Sequence, residues 1–344
     1  MRLIDQGLDE QGKSISIQEV AEQYFWKINP KIKKRNPSTV DVFYKKGCLI
    51  NRLEQAIDSS TTCMPTNFYE YLLDKANNYE QLKNLITATA TQLEQFFIPQ
   101  IESYLTSLGV DIRSDKKYRD EIISILGYES IRDCHTQWLV DRLGIKTCPY
   151  CGIQYILGVS RPGEKKVLCE LDHFFPKDTY PYLCVSFYNL IPSCAFCNRL
   201  KSSSATSLST HPHPYHHNFD QLFTFKTAPQ EVIEVIIKDR KTISVQTDFN
   251  TSSAPTIDKH FERFRLNEVY AHHSDIAEEL YWKKYVYTDS RKDELVKLLG
   301  TSLGLTKGEI ERFIVGNYVE DKDMLRRPLA KLMRDIAREV KLID

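Results

Sequence analysis

The apolar positions of this chain fall into three textures. Through about residue 145 they recur at helical spacing, most clearly in "TQLEQFFIPQIESYLTSLGV", where Leu93, Phe96, Phe97, Ile101, Leu105 and Leu108 form one stripe. Pro99 interrupts the stripe; it has no N–H for the helix ladder and predicts a kink or a split. Gly109 is placed to stop the helix. Helical spacing returns from about residue 255. The last helix carries Leu329, Leu332, Met333, Ile336, Ala337 and Val340 on one side, with Arg327, Lys331, Arg334, Asp335 and Arg338 at the other positions. Its apolar stripe is expected to face the core or the other helical region.

From Lys146 the texture changes. "KKVLCELDHF" and "YLCVSFYNL" are short β-prone runs, and "GVSRPGEKK" reads as a turn-forming loop. "KSSSATSLST" and "HPHPYHHNFD" continue as irregular loop, with the four histidines packing beside the module. "VIEVII" and "TISVQT", parted by charged "KDRK", read as a hairpin. Upstream, "NPKIKKRNPS" (29–38) reads as a solvated basic loop, with phosphate contact as the other reading. The division this predicts is a helical region 1–145, a module 146–203, a loop and hairpin extension 204–254, and a second helical region 255–344. The fold class is α+β.

A length of 344 residues leaves room for two or three domains. Lys and Arg total 46, as do Asp and Glu, so any basic surface has to be local and balanced elsewhere. The start, "MRLIDQGLDEQGKS", has no charged-then-apolar signal pattern, and no apolar run approaches the roughly 18 residues that span a bilayer. The expectation is a cytoplasmic protein with no membrane partner. Nine cysteines in a reducing compartment point to metal binding and away from a disulfide framework.

Four of the nine form two Cys-x-x-Cys pairs, Cys148/Cys151 and Cys194/Cys197. A two-residue gap lets both thiolates of a pair turn onto one ion, and two such knuckles complete a tetrahedral four-cysteine structural zinc site. Such a site holds a module together but performs no chemistry. The other five, Cys48, Cys63, Cys134, Cys169 and Cys184, read as ordinary thiols.

The chemistry has to come from Asp172, His173, Asn189 and Asn198. A neutral imidazole takes a proton from water near neutral pH, and a carboxylate with an amide oxygen makes a hard donor set suited to Mg²⁺ or Mn²⁺. Asp-His on one strand, an Asn ahead of the second knuckle, and "CAFCNRLK" after it resemble the HNH nucleases of the ββα-metal superfamily, specifically over residues 148–201. The resemblance implies that His173 is the general base, that Asp172 and Asn198 hold the catalytic metal, and that Asn189 braces the loop that orients His173. It departs at Asn198, where many members carry His. Lys177, Arg199 and Lys201 are expected near phosphates. "CPYC", "LDHFFPKDTYPYL" and "FYNLIPSC" look like HNH proteins of bacterial antiphage systems, including the nuclease partner of Septu-type systems, which implies a co-encoded ATPase as partner and nucleic acid as substrate, DNA as in the family, with RNA as the other reading. The competing reading is a zinc-stabilised nucleic-acid or protein-binding module with a vestigial nuclease centre.

Overall fold

Ser16 opens the first long helix with a capping box: its hydroxyl accepts from the Glu19 amide, and the Glu19 carboxylate accepts from the Ser16 amide at 2.8 Å. In the computed structural model, which describes residues 1–35, 40–161, 164–228, 233, 243–250 and 257–343, this is α1 (Ile17–Ile28). There follow α2 (Leu49–Ile57), α3 (Thr66–Leu73), α4 (Glu80–Thr87), the short α5 (Ala90–Gln92), α6 (Ile98–Ser107), α7 (Lys116–Leu126) and α8 (Tyr128–Leu143). Between α5 and α6, Leu93–Phe97 form a π turn directly ahead of Pro99. The proline is thus taken up in the first turn of α6, where its missing N–H costs no ladder bond. Gly109, at φ +68°, ends α6 in a Schellman closure, with Val110 N–H on the Leu105 carbonyl and Gly109 N–H on that of Thr106, both at 3.0 Å.

Strands among the described residues pair only as separate antiparallel hairpins: β1 (Gln6–Leu8) with β2 (Ser14–Ser16), β3 (Lys31–Arg35) with β4 (Val40–Tyr44), β5 (Leu157–Arg161) with β6 (Glu164–Leu168), β7 (Glu170–His173) with β8 (Leu190–Ser193), and β9 (Phe223–Thr227) with β10 (Val245–Phe249). Helices α9 (Ala195–Lys201), α10 (Phe219–Leu222), α11 (Asp258–Phe264), α12 (Leu266–Ala271), α13 (Ser274–Val286), α14 (Asp289–Leu303), α15 (Lys307–Val315) and α16 (Ala330–Glu339) complete the α+β fold.

Several local expectations change. The basic stretch 29–38 holds a strand, and "GVSRPGEKK" is mostly the β5–β6 hairpin. "YLCVSFYNL" is not a strand: it runs through two 3₁₀ turns, Pro181–Leu183 and Phe187–Asn189, and pairing begins only at Leu190. Tyr182, Leu183, Cys184, Val185 and Phe187 are all fully buried. The unbroken apolar run therefore reports a loop enclosed on every side, not a pleated face. Most of "VIEVII" lies outside the described residues, and the strand overlapping "TISVQT" pairs with Phe223–Thr227.

The last helix buries its apolar stripe at Leu332, Ile336 and Ala337, yet it also buries Lys331, Arg334 and Asp335. These close on Asp220 of α10: Lys331 Nζ lies 2.7 Å and Arg334 Nη2 2.6 Å from its Oδ1, with Asp335 2.9 Å from Lys331. Asp321 adds a further carboxylate on Arg334, and with both cations paired the charged face can leave water.

Three tyrosine hydroxyls tie the surroundings to the β7–β8 region. Tyr24 of α1 donates to the Val185 carbonyl at 3.2 Å, Tyr128 of α8 to that of Leu171 at 3.2 Å, and Tyr215 to that of Leu190 at 3.1 Å. Tyr215 lies within the histidine-rich loop, where His213 is fully buried with its ring 4.2 Å from that of Phe174. That loop packs beside the β7–β8 region.

Candidate active site and metal centre

The first cysteine pair sits on a tight turn. Cys148 N–H donates to the Gln154 carbonyl at 2.9 Å, and Gly152 N–H to the Cys148 carbonyl at 2.8 Å. Gly152 takes φ +66°, and a Cβ there would meet the Tyr270 hydroxyl at 3.1 Å, so glycine suits both the turn and its packing. The second pair straddles the start of α9, where the Cys197 amide points at Cys194 Sγ at 3.4 Å. All four thiols are buried and lie within 4.8 Å of one another, with Cys151 and Cys194 Sγ 4.0 Å apart. Ligands about 2.3 Å from a tetrahedral zinc ion stand about 3.8 Å from each other, so the four-sulfur donor set fits zinc in both chemistry and spacing.

Strand β7, strand β8 and helix α9 follow as a ββα unit, with Asp172 opposite Ile191 and His173 opposite Leu190. Asn189 is fully buried at the head of β8. Its Oδ1 accepts from the Phe175 amide at 2.7 Å, and its Nδ2 donates to the Phe175 and Leu183 carbonyls at 3.1 and 3.0 Å. It thereby fixes both ends of the enclosed loop 175–183, and the same loop region supplies the partner of His173.

His173 Nε2 lies 2.9 Å from the Cys184 carbonyl oxygen. A carbonyl only accepts, so Nε2 carries the hydrogen and Nδ1 is left as the basic nitrogen. The ring packs 4.6 Å from that of Tyr128, and burial draws the imidazole down to about 3, which leaves it neutral at pH 7. Asp172 is equally buried. Its Oδ2 accepts from the Tyr150 hydroxyl at 2.7 Å and its Oδ1 from Lys201 Nζ at 3.2 Å. Burial pushes this carboxyl upward, opposed by the charge of Lys201 and the Tyr150 hydrogen bond. Burial likewise draws the Lys201 ammonium downward, opposed by Asp172.

Asp172, His173 and Asn198 line one cleft of about 500 Å³ together with Glu170, Lys177 and Arg132. Asn198 Nδ2 donates to the Glu170 carboxylate. Asp172 and Asn198 carry oxygen donors of the hard kind that Mg²⁺ and Mn²⁺ take, and both Asp172 oxygens already accept, one from Tyr150 and one from Lys201. Lys177 Nζ lies 5.0 Å from the Tyr128 ring centroid, and Arg199 is exposed on α9. Lys201 is not at the surface: it is 1% exposed and held by Asp172 and the His173 carbonyl. Its four-carbon stem and head are taken inward because the otherwise lone buried carboxylate requires a countercharge.

Tyr150, Glu170, Tyr128 and Arg132, which carry no motif in the sequence, also surround these residues. Tyr150 joins the two centres: it stands between Cys148 and Cys151, stacks 5.0 Å from Phe264, and donates to Asp172. Its backbone carbonyl accepts from His260 at 2.8 Å, and Tyr270 donates to the Cys151 carbonyl at 2.6 Å, so helices α11 and α12 buttress the knuckle. The signal available in the sequence was a polar-tipped aromatic between two metal ligands, a residue that seeks a partner when buried. Tyr150→Phe should keep zinc content unchanged but lower metal-dependent activity about 10–100-fold, the usual loss when an outer partner of a ligand is removed. Unchanged activity at equal zinc would mean that the hydroxyl does not position Asp172.

Fold and site together define an α+β protein with a buried four-cysteine centre placed to hold one metal ion. Among its described residues, no helix is long and apolar enough to cross a membrane. The chain is 43% identical over 56 residues to the Septu protein PtuB of Bacillus thuringiensis. The matched segment is 16% of this chain and 19% of that relative, so less than a fifth of the relative's length is represented. No family model and no solved structure matches the chain.

Proposed function

We propose that the chain is a metal-dependent endonuclease that hydrolyses phosphodiester bonds in DNA, and that it acts in the cytoplasm as the effector of a Septu-type antiphage system beside a co-encoded ATPase. The observation that carries the chemistry is the convergence of Asp172, His173 and Asn198 on one cleft, with His173 Nδ1 left unprotonated by the Nε2–Cys184 bond. The local similarity to Septu protein PtuB supports the defence setting.

In this reading, residues 146–203 form the nuclease module, and the flanking helices carry or dock it. His173 Nδ1 takes a proton from a water in the cleft; the water oxygen attacks phosphorus, the bond to the 3′ oxygen breaks and that oxygen takes a proton from a solvent water, giving 5′-phosphate and 3′-hydroxyl ends. Asp172 and Asn198 would hold Mg²⁺ or Mn²⁺, which supplies charge neutralisation at the scissile phosphate and the departing oxygen. Asn189 keeps the 175–183 loop closed so that the imidazole stays aimed. Lys177, Arg132 and exposed Arg199 meet the phosphates on either side. Zinc on Cys148, Cys151, Cys194 and Cys197 holds the module together. The reading is tested by plasmid cleavage with the zinc-replete protein in Mg²⁺ or Mn²⁺, alone and with the ATPase, against His173→Ala.

A further inference from the structure

A second groove, of about 290 Å³, lies between α1, the β4–α2 turn and α8. Its charged lining is all of one sign: Lys27, Lys45, Lys46 and Arg52, with His135 beside them and no Asp or Glu. In a chain whose 46 basic and 46 acidic residues balance, that is a marked local departure. Among the described residues, none of these four cations has a carboxylate partner. Arg52 is held instead by its Nε on the Gly47 carbonyl at 2.9 Å, against Gly127, where a Cβ would meet that Nε at 3.0 Å.

Three features say what the groove takes. The start of α2 borders it, with no side-chain cap from Cys48 and no acidic residue in the first turn, although Asn29 Oδ1 already accepts from the Ile50 amide at 2.9 Å. Next in sequence to the lining residues Lys27 and Pro30, an aromatic and a cation pair up: Lys31 Nζ lies 4.5 Å from the ring of Trp26, which is 43% exposed. Finally, the groove adjoins the catalytic cleft through a single helix. Ser130, Ile131, Cys134 and His135 of α8 line the groove, while Tyr128 and Arg132 line the cleft. At 1.5 Å per residue, the seven steps from 128 to 135 cover about 10 Å, roughly three nucleotides of strand at about 3.4 Å each.

We infer that this carboxylate-free groove binds the sugar–phosphate backbone of the substrate nucleic acid and leads it across α8 into the Asp172–His173 cleft. The inference rests on the nuclease reading for its direction, but the binding it asserts can be measured without cleavage. Phosphates are neutralised by Lys45, Lys46, Lys27 and Arg52, a contact that carries no sequence preference. An acidic face of a protein partner is the rival occupant; continuity with the cleft and the Trp26–Lys31 pair favour nucleic acid.

The test is binding of a short labelled duplex by the His173→Ala protein, with and without Lys45→Ala and Lys46→Ala, over a range of salt. Both lysines are exposed, so the substitutions spare the core, and equal zinc content confirms it. The expected result is a loss of affinity of roughly tenfold or more and a salt slope shallower by about two, one for each contact removed. In an otherwise wild-type chain, the same pair should leave hydrolysis of bis(p-nitrophenyl) phosphate unchanged, because that substrate never reaches the groove. Equal affinity and slope with and without the lysines would overturn the inference, as would absence of any duplex binding. Loss of ATPase association with duplex binding intact would overturn it too, and would reassign the groove to a protein partner. Duplex binding that depends on the lysines, in a wild-type protein that cleaves nothing, would uphold the groove and sink the nuclease reading instead.

Discussion

Asp172→Asn should destabilise the protein by about 3–5 kcal/mol and abolish cleavage, and adding Lys201→Met should restore the stability but not the activity. Lys201 is 1% and Asp172 3% exposed, so the single substitution leaves an ammonium out of water with no countercharge. Replacing the ammonium with a methionine of similar length removes that cost, since a buried pair exchanged for apolar or neutral groups is often neutral in stability. The carboxylate that would hold the metal is absent in both proteins. Urea melts and plasmid cleavage, run on the single and double variants at equal zinc content, read the two consequences separately. Cleavage by the double variant would remove Asp172 from the metal site. A wild-type melting curve for Asp172→Asn would mean that the ion pair is not what keeps Lys201 inside.

Stripping zinc should unfold residues 148–201 and end all activity. Binding energies of structural zinc sites, about 10–16 kcal/mol, are as large as the whole stability of a typical domain. Here the four ligands join the turn before β5 to the start of α9, across an intervening segment whose strands form only two-stranded pairs. A two-stranded hairpin is marginal by itself, so the metal cross-link carries much of the order. The Tyr150 hydroxyl would be lost from Asp172 at the same time. Cys197→Ser should give the same result without a chelator, with near-UV circular dichroism and bound-metal analysis as readouts. Readdition of zinc, and not of Mg²⁺ alone, should restore the stripped wild type. Full cleavage by zinc-free protein would contradict the structural role. Chelation alone does not assign the catalytic metal, because it removes both ions.

The site was legible where chemistry is written as spacing. Two Cys-x-x-Cys pairs placed four sulfurs, and the structure brings all four within one cluster. Asp172, His173 and Asn198 were picked out by residue type and resemblance, and they share a cleft. What the sequence hid depends on tertiary placement. Lys201 reads as one more surface cation after Asn198, and only the nearness of buried Asp172 turns it inward. Lys331, Arg334 and Asp335 read as the wet side of an amphipathic helix, and carboxylates from outside it, Asp220 more than a hundred residues away and Asp321, make their burial affordable in charge. The run "YLCVSFYNL" has strand composition, yet the three hydrogen bonds of Asn189 hold the segment ahead of it as an enclosed loop. The α+β class survived these local errors because it rests on helix-spaced stripes at both ends and short β-prone runs between them.

The most direct measurement is single-turnover plasmid cleavage by wild type and His173→Ala in Mg²⁺ or Mn²⁺, with the ATPase present and bound zinc determined in both proteins. The account predicts metal-dependent cleavage by the wild type, a loss of about 10²–10⁴-fold or more in the variant, and equal zinc in the two. Equal cleavage by both proteins, or none by either with zinc intact and the ATPase present, would contradict it.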